Sequence, residues 1–211
     1  MGLTPVHGLP GATRSGSIDP SLIFHYTNNA GKISHDPAMQ TMHVGVSVAE
    51  DILNRKAGWK ALCGTTDFGE IVQKAELEKA REDVMDQNPY RLAFELFLDR
   101  LLDYVGSYHL KLDAQVDALV FAGGIGEHSV QLRDVLGEKI KCLGYNEVDQ
   151  ERNRNASRQK DVVCSISVDE SRRMGRILVV KTDEQVSATT SWHEFCTDVC
   201  ISSSRWQDNV C

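Results

Sequence analysis

Val120-Phe121-Ala122-Gly123-Gly124-Ile125-Gly126-Glu127-His128-Ser129 is the stretch whose reading decides the fold class. Residues 116–121 are apolar apart from Asp117, a run of strand length that is too short for a helix. Three glycines within the next five positions predict a tight turn, and Ser129 to about Ile140 then reads as a helix. A strand that ends in glycines and opens a helix lets backbone approach a ligand closely and aims free N–H groups at a phosphate or ribose oxygen. The same arrangement also serves as plain structure, and the segment alone leaves both readings open. It is not the Rossmann glycine pattern, because position 129 is serine, and no Lys-Ser/Thr pair follows as in a P-loop.

Working toward the N-terminus, Pro89 to about His109 is the clearest helix. Phe94, Phe97, Leu98, Leu101, Leu102, Val105 and Tyr108 recur at three- and four-residue steps behind Asn88 as cap and Pro89 in the first turn. A core role suffices for every one of these aromatics. A charged helix is expected over about Ile71 to Met85, preceded by an extended piece and turn over 61–69. A shorter helix is expected from Ser47 to Lys56, ended by Gly58, and another after Pro20, with Asp19 as cap. Toward the C-terminus, Val162 to Ser167 and Ile177 to Val180 predict strands. Helix, strand, glycine turn, helix, strand, strand is an α/β order. Residues 188–211 lack sustained periodicity.

Composition narrows the function classes. Over 211 residues the chain is 41% hydrophobic and 25% charged, an ordinary globular balance. A net charge of −7 without clustered Lys/Arg argues against a nucleic-acid or anionic-membrane partner. Phosphate binding would have to come from backbone N–H groups, a metal ion or one or two placed cations. No basic start followed by an apolar stretch marks a signal peptide, and the chain reads as cytoplasmic. Of six cysteines, Cys196, Cys200 and Cys211 crowd the last sixteen residues near His193, without the second ligand pair that structural zinc requires.

Three further segments can carry chemistry. Ala12-Thr13-Arg14-Ser15-Gly16-Ser17 places an arginine in a small-residue loop, where a guanidinium can grip a carboxylate or phosphoryl oxygen, or simply face solvent. In Thr65-Thr66-Asp67-Phe68-Gly69, Asp67 can accept from a ribose hydroxyl and Phe68 can lie against a base. Other landmarks of a protein kinase are missing around this Asp-Phe-Gly. Lys181-Thr182-Asp183-Glu184-Gln185 runs from a strand into an acidic pair, which can deliver a carboxylate to a metal-bound phosphate or cap a helix.

Taken in order, Met-Gly-Leu-Thr-Pro at 1–5, Thr-Arg-Ser-Gly at 13–16 with Ile-Asp-Pro at 18–20, Thr-Asp-Phe at 66–68, Phe-Ala-Gly-Gly-Ile-Gly-Glu at 121–127 and Thr-Asp-Glu at 182–184 resemble the acetate kinase family. The resemblance runs to about residue 187 and is nearest the fungal branch, notably in Tyr-Thr-Asn-Asn-Ala-Gly-Lys-Ile-Ser-His-Asp-Pro at 26–37. It implies the actin-like, Hsp70 and sugar-kinase fold (ribonuclease H-like), with residues 1–187 as the C-terminal, adenosine-binding domain. Residues 188–211 then form an atypical Cys/Ser-rich tail that looks more like a shifted frame or a read-through intron than evolved structure.

The activity implied is transfer of phosphate between ATP and acetate, giving ADP and acetyl phosphate, with Mg2+. Carried over by position, Arg14 is the transition-state arginine and Glu184 the carboxylate that helps hold magnesium. Asp67, Phe68 and Gly69, with Gly124, Ile125, Gly126, Glu127 and His128, are the nucleotide contacts. Gly69 stands where many members carry arginine, His128 where asparagine is usual, Ser17 for a common aspartate and Gln185 for a second glutamate; these departures leave ATP against pyrophosphate open. The resemblance further implies a homodimer for the full-length form and a site whose other half precedes Met1, so that this chain alone is expected to be inactive. The alternatives are a non-catalytic adenine-nucleotide-binding domain and a dimerisation domain.

Overall fold

The computed structural model of the chain describes residues 7–19, 21, 31–33, 47–79, 88–169 and 175–182. Among these residues four helices lead into the sheet. Helix α1, Val48–Arg55, starts at Ser47, whose hydroxyl accepts from the Glu50 N–H at 3.2 Å, and closes at Lys56. Gly58 does not end α1 but opens α2, Gly58–Cys63, which Gly64 closes in the left-handed conformation. Gly58 needs glycine twice over. Its φ is +69°, and a β-carbon there would sit 2.1 Å from the Gly11 carbonyl oxygen. Residues 61–63, expected as extended, are therefore helical.

The charged helix is shifted and shorter than expected. Helix α3, Phe68–Lys74, begins two residues after Thr66 because Asp67 accepts from the Gly69 N–H at 2.8 Å and caps it. It stops before Glu76, which takes a positive φ of 49°; residues 80–87 lie outside the described residues. Asn88 then caps α4, Pro89–Lys111, accepting from the N–H groups of Tyr90 and Arg91 at 2.9 and 3.1 Å. Its amide also donates to the Lys74 carbonyl at 2.8 Å, so one side chain joins the end of α3 to the start of α4.

Between α2, α3 and α4 lies an aromatic core. The ring centroid of Phe68 is 5.5 Å from that of Trp59, 5.0 Å from Phe97 and 6.2 Å from Phe94, and Ile71 and Phe94 are fully buried. The α4 periodicity holds through Phe94, Phe97 and Leu98, but Tyr108 turns outward and His109 is buried in its place.

Among the described residues the sheet has three strands in the order β1-β3-β2, with β1 Ala118–Phe121, β2 Val163–Ser165 and β3 Arg176–Val180. β3 pairs parallel to β1, with Val120 opposite Leu178, and antiparallel to β2, with Cys164 opposite Val179. As the central strand, β3 is buried from Ile177 through Val180, which explains its unbroken apolar sequence. The β2 strand is shorter than expected, and Ser167 leaves it to bridge Val148.

Between β1 and β2 the chain forms α5 (Gly123–His128), α6 (Val130–Ile140), a 3-10 turn (Lys141–Leu143), α7 (Gln150–Asn155) and a second 3-10 turn (Ala156–Arg158). The glycine segment, expected as a tight turn, is thus the first part of a helix. Leu132, Leu136 and Ile140 of α6 are buried in the same hydrophobic core as Phe121, Ile177 and Val179. The helix expected after Pro20 lies outside the described residues beyond Ser21, whose N–H donates to Asp19 at 2.9 Å. The Cys/Ser-rich tail also lies outside them. No described helix is long and apolar enough to cross a membrane.

Candidate functional site

After Phe121 the backbone is still extended at Ala122 and reverses at Gly123, whose φ of +71° suits glycine. Helix α5 is only six residues long and holds three glycines, a combination that does not sustain a helix unaided. Both of its ends are fastened from outside. At the start, Glu127 Oε1 accepts from the Gly123 N–H at 3.0 Å, from the Thr182 N–H at 2.9 Å and from the Thr182 hydroxyl at 2.7 Å. Burial alone would push the Glu127 carboxyl up; the Thr182 and Gly123 hydrogen bonds, helped by His128, outweigh it and hold the group below the usual carboxylate range.

At the other end stands Arg133, 0% exposed. One terminal nitrogen donates to the carbonyls of Gly126 and Glu127, both at 2.7 Å. Nε donates to Asn153 Oδ1 at 2.6 Å and the second terminal nitrogen to the Asn153 carbonyl at 2.9 Å. No carboxylate pairs with it among the described residues, and burial pulls its pKa down. The Ser157 hydroxyl adds a further bond to the Glu127 carbonyl at 2.5 Å.

Held in this way, α5 forms one wall of a cavity of about 510 Å³. Gly124, Ile125 and His128 line that wall, continued by Ser129 and Gln131, while Asp67, Phe68, Gly69, Val72 and Gln73 of α3 and its cap line the opposite one, with Trp59 and Thr66 between. The two segments are more than 50 residues apart in sequence, and six of the ten residues singled out from sequence meet here.

The glycines divide by role. A β-carbon at Gly126 would lie 3.3 Å from the Phe121 carbonyl carbon, so glycine there lets α5 close onto β1. At Gly124 a β-carbon would meet nothing within 4 Å, and the backbone is not left-handed. Nothing in the packing asks for glycine at 124; its bare backbone widens the cavity.

The remaining positions fall elsewhere. Gly126 and Glu127 support the wall from behind and do not line it. Phe68 lines the cavity, but at 6% exposure its ring is committed to Trp59, Phe94 and Phe97, which leaves it a wall and not a free stacking face. Arg14 is exposed and is not among the lining residues. Its loop is fixed by the Ser15 N–H to the Leu53 carbonyl at 2.9 Å and the Ala57 N–H to the Thr13 carbonyl at 3.1 Å. Glu184 lies outside the described residues, and among those residues no group of three His, Cys, Asp or Glu side chains is placed to hold a metal ion.

Gln73 and Gln131 escaped the sequence reading. Each stands one helical turn from a residue that did not, Gln73 four after Gly69 and Gln131 three after His128, and that spacing was the available signal. Trp59 was hidden by its ordinary role as core. The described lining contains no lysine or arginine, and its one carboxylate, Asp67, is already capping α3. Chemically the cavity suits a largely neutral, planar group with hydrogen-bonding edges better than a bare polyanion.

Comparison with known proteins bears on this site. A model of the acetokinase family matches residues 1–189. A probable acetate kinase of Emericella nidulans is 49% identical over 185 residues, covering 88% of this chain and 41% of that protein. An acetate kinase of Sulfurovum sp. is 33% identical over 88% of this chain and 40% of its own length. Among solved structures, a propionate kinase from Francisella tularensis superposes with a TM-score of 0.63 at 31% identity, over 88% of this chain and 40% of that one. The acetate kinase of Entamoeba histolytica superposes at 0.66 with 24% identity, over 88% and 42%, a likeness of fold. The chain therefore spans about two fifths of the length of the curated relatives it matches.

Proposed function

The chain belongs to the acetokinase family, and on that premise we propose that it is the nucleotide-holding part of an acetate kinase, a phosphotransferase that moves phosphate between ATP and the carboxylate of acetate. The observation that carries the reading is the meeting of Asp67-Phe68-Gly69 and Gly124-Ile125 with His128 across one cavity. Its lining, neutral apart from Asp67, and its apolar walls suit the adenosine of ATP, and the free backbone at Gly124 gives the nucleoside room. Pyrophosphate offers such a lining no apolar or planar surface, which favours ATP as the donor.

The other roles rest on the family. Arg14, exposed on a loop fastened to α1, is proposed to steady the transferring phosphoryl group, since guanidinium charge and geometry suit its oxygens. Magnesium accompanies the nucleotide and supplies charge neutralisation when bound; Glu184 is its proposed ligand. The described carboxylates do not assemble a site for it. The whole protein is proposed to act in the cytoplasm as a homodimer. Leu92 and Leu96, one turn apart on α4 and 41% and 37% exposed, are apolar surface that a second copy would cover. By itself the 211-residue chain is proposed to bind nucleotide without forming acetyl phosphate, a reading supported by the share of its relatives' length that it spans.

Calorimetric titration of the 211-residue chain with adenosine, MgATP and pyrophosphate tests this, alongside an acetyl-hydroxamate assay. Binding of adenosine and MgATP with no heat from pyrophosphate is expected. Pyrophosphate binding with none from adenosine would sink the reading.

A further inference from the structure

A fully buried guanidinium with no carboxylate beside it among the described residues is an expensive way to fill a core, since apolar residues of similar volume usually stabilise a fold as well or better. What Arg133 gains by being charged is direction. Its donors converge on three backbone carbonyls, two at the end of α5 and one on α7, and on one side-chain amide oxygen. Asn153 is itself oriented, its amide donating to the Val130 carbonyl at 3.1 Å, so the acceptor cannot turn away.

The element so held is the one least able to hold itself, a six-residue helix with three glycines. Its free face carries Gly124, Ile125 and His128 into the cavity, whereas Arg133 and Asn153 touch the opposite side and do not line it.

We propose that Arg133, set by Asn153, is a positioning residue for the nucleoside cavity: it fixes the end of α5 so that Gly124, Ile125 and His128 stand at a constant distance from the α3 wall. The proposal rests on the nucleotide reading for what the wall receives, but the clamp itself is measurable without ligand.

The test uses the 211-residue chain with Arg133→Met, which removes every donor, and Arg133→Gln, which keeps one amide within reach of the carbonyls. Hydrogen exchange over residues 122–129 is compared with that over 94–98 in the α4 core, together with adenosine affinity. Exchange at 122–129 is expected to rise about tenfold in the Met variant while 94–98 changes within about twofold. The Gln variant falls between, and adenosine Kd rises about tenfold in the Met variant. Both segments accelerating together, or neither variant folding, overturns the proposal, because the arginine then serves the whole fold. Unchanged exchange at 122–129 overturns it as well. If the wild-type chain binds no adenosine yet exchange still rises only at 122–129, the nucleotide reading fails and the clamp stands.

Discussion

Glu127 and Thr182 lie 55 residues apart in sequence and meet twice, the carboxylate oxygen accepting from the threonine N–H at 2.9 Å and from its hydroxyl at 2.7 Å. This pair ties the chain just past the end of the central strand, two residues beyond Val180, to the helix that walls the cavity. Because the carboxyl is held below its ordinary range in the folded chain, it contributes stability above its unfolded pKa, and that contribution is lost as pH falls through the folded pKa. In Glu127→Gln the acid side of the stability profile should be shallower than in wild type. Urea midpoints between about pH 7 and pH 3 check this, and superimposable profiles would show that the carboxylate charge is not what these contacts hold.

Gly58 and Gly64 both have positive φ, at +69° and +81°, but only Gly58 is crowded. Gly58→Ala pushes a β-carbon into the Gly11 carbonyl and is expected to cost roughly 3 kcal/mol or more. Gly64→Ala meets open space and should cost only the left-handed strain, about 1 kcal/mol. Chemical denaturation of the two variants side by side gives the comparison, and equal losses would refute it.

Gly124 makes the opposite prediction. With no steric or φ requirement, Gly124→Ala should leave stability unchanged or raise it by about 1 kcal/mol, as for a glycine replaced within a helix. Gly124→Leu should keep the fold while lowering adenosine affinity about tenfold, because the side chain enters the cavity. Melting temperature and calorimetry on the same samples separate the two effects.

Asn88 joins two helices through three hydrogen bonds. Asn88→Ala is expected to cost roughly 2 kcal/mol, at the upper end for an N-cap. Asn88→Asp should recover most of the capping but not the bond to the Lys74 carbonyl, since a carboxylate cannot donate. Urea denaturation of both variants measures the difference.

What could be read from sequence was periodic or chemically marked. The α4 stripe, the cap at Asn88 and the apolar run of β3 all announce themselves through spacing and residue type. The glycine segment did not announce its helix, because three glycines favour a turn by propensity, and only distant partners such as Thr182, Arg133 and Ser157 make the helical form hold. For the same reason Gly58 was read as a stop when it is a start: the Gly11 carbonyl that demands it is 47 residues away. Half of the cavity wall was legible through Asp67 and Gly124, whereas Gln73 and Gln131 required knowing which faces of α3 and α6 turn toward each other.

Ser129 is at once the residue that ends α5, its N–H bonding the Ile125 carbonyl at 2.9 Å, and the residue that starts α6, its hydroxyl accepting from the Leu132 N–H at 3.4 Å. A junction of one residue has no slack. An insertion or deletion anywhere from Gly123 to Leu132 would rotate one helix against the other by about 100° per residue and carry Gly124 or Arg133 off its mark. Change within this stretch is therefore confined to exchange of side chains at constant length.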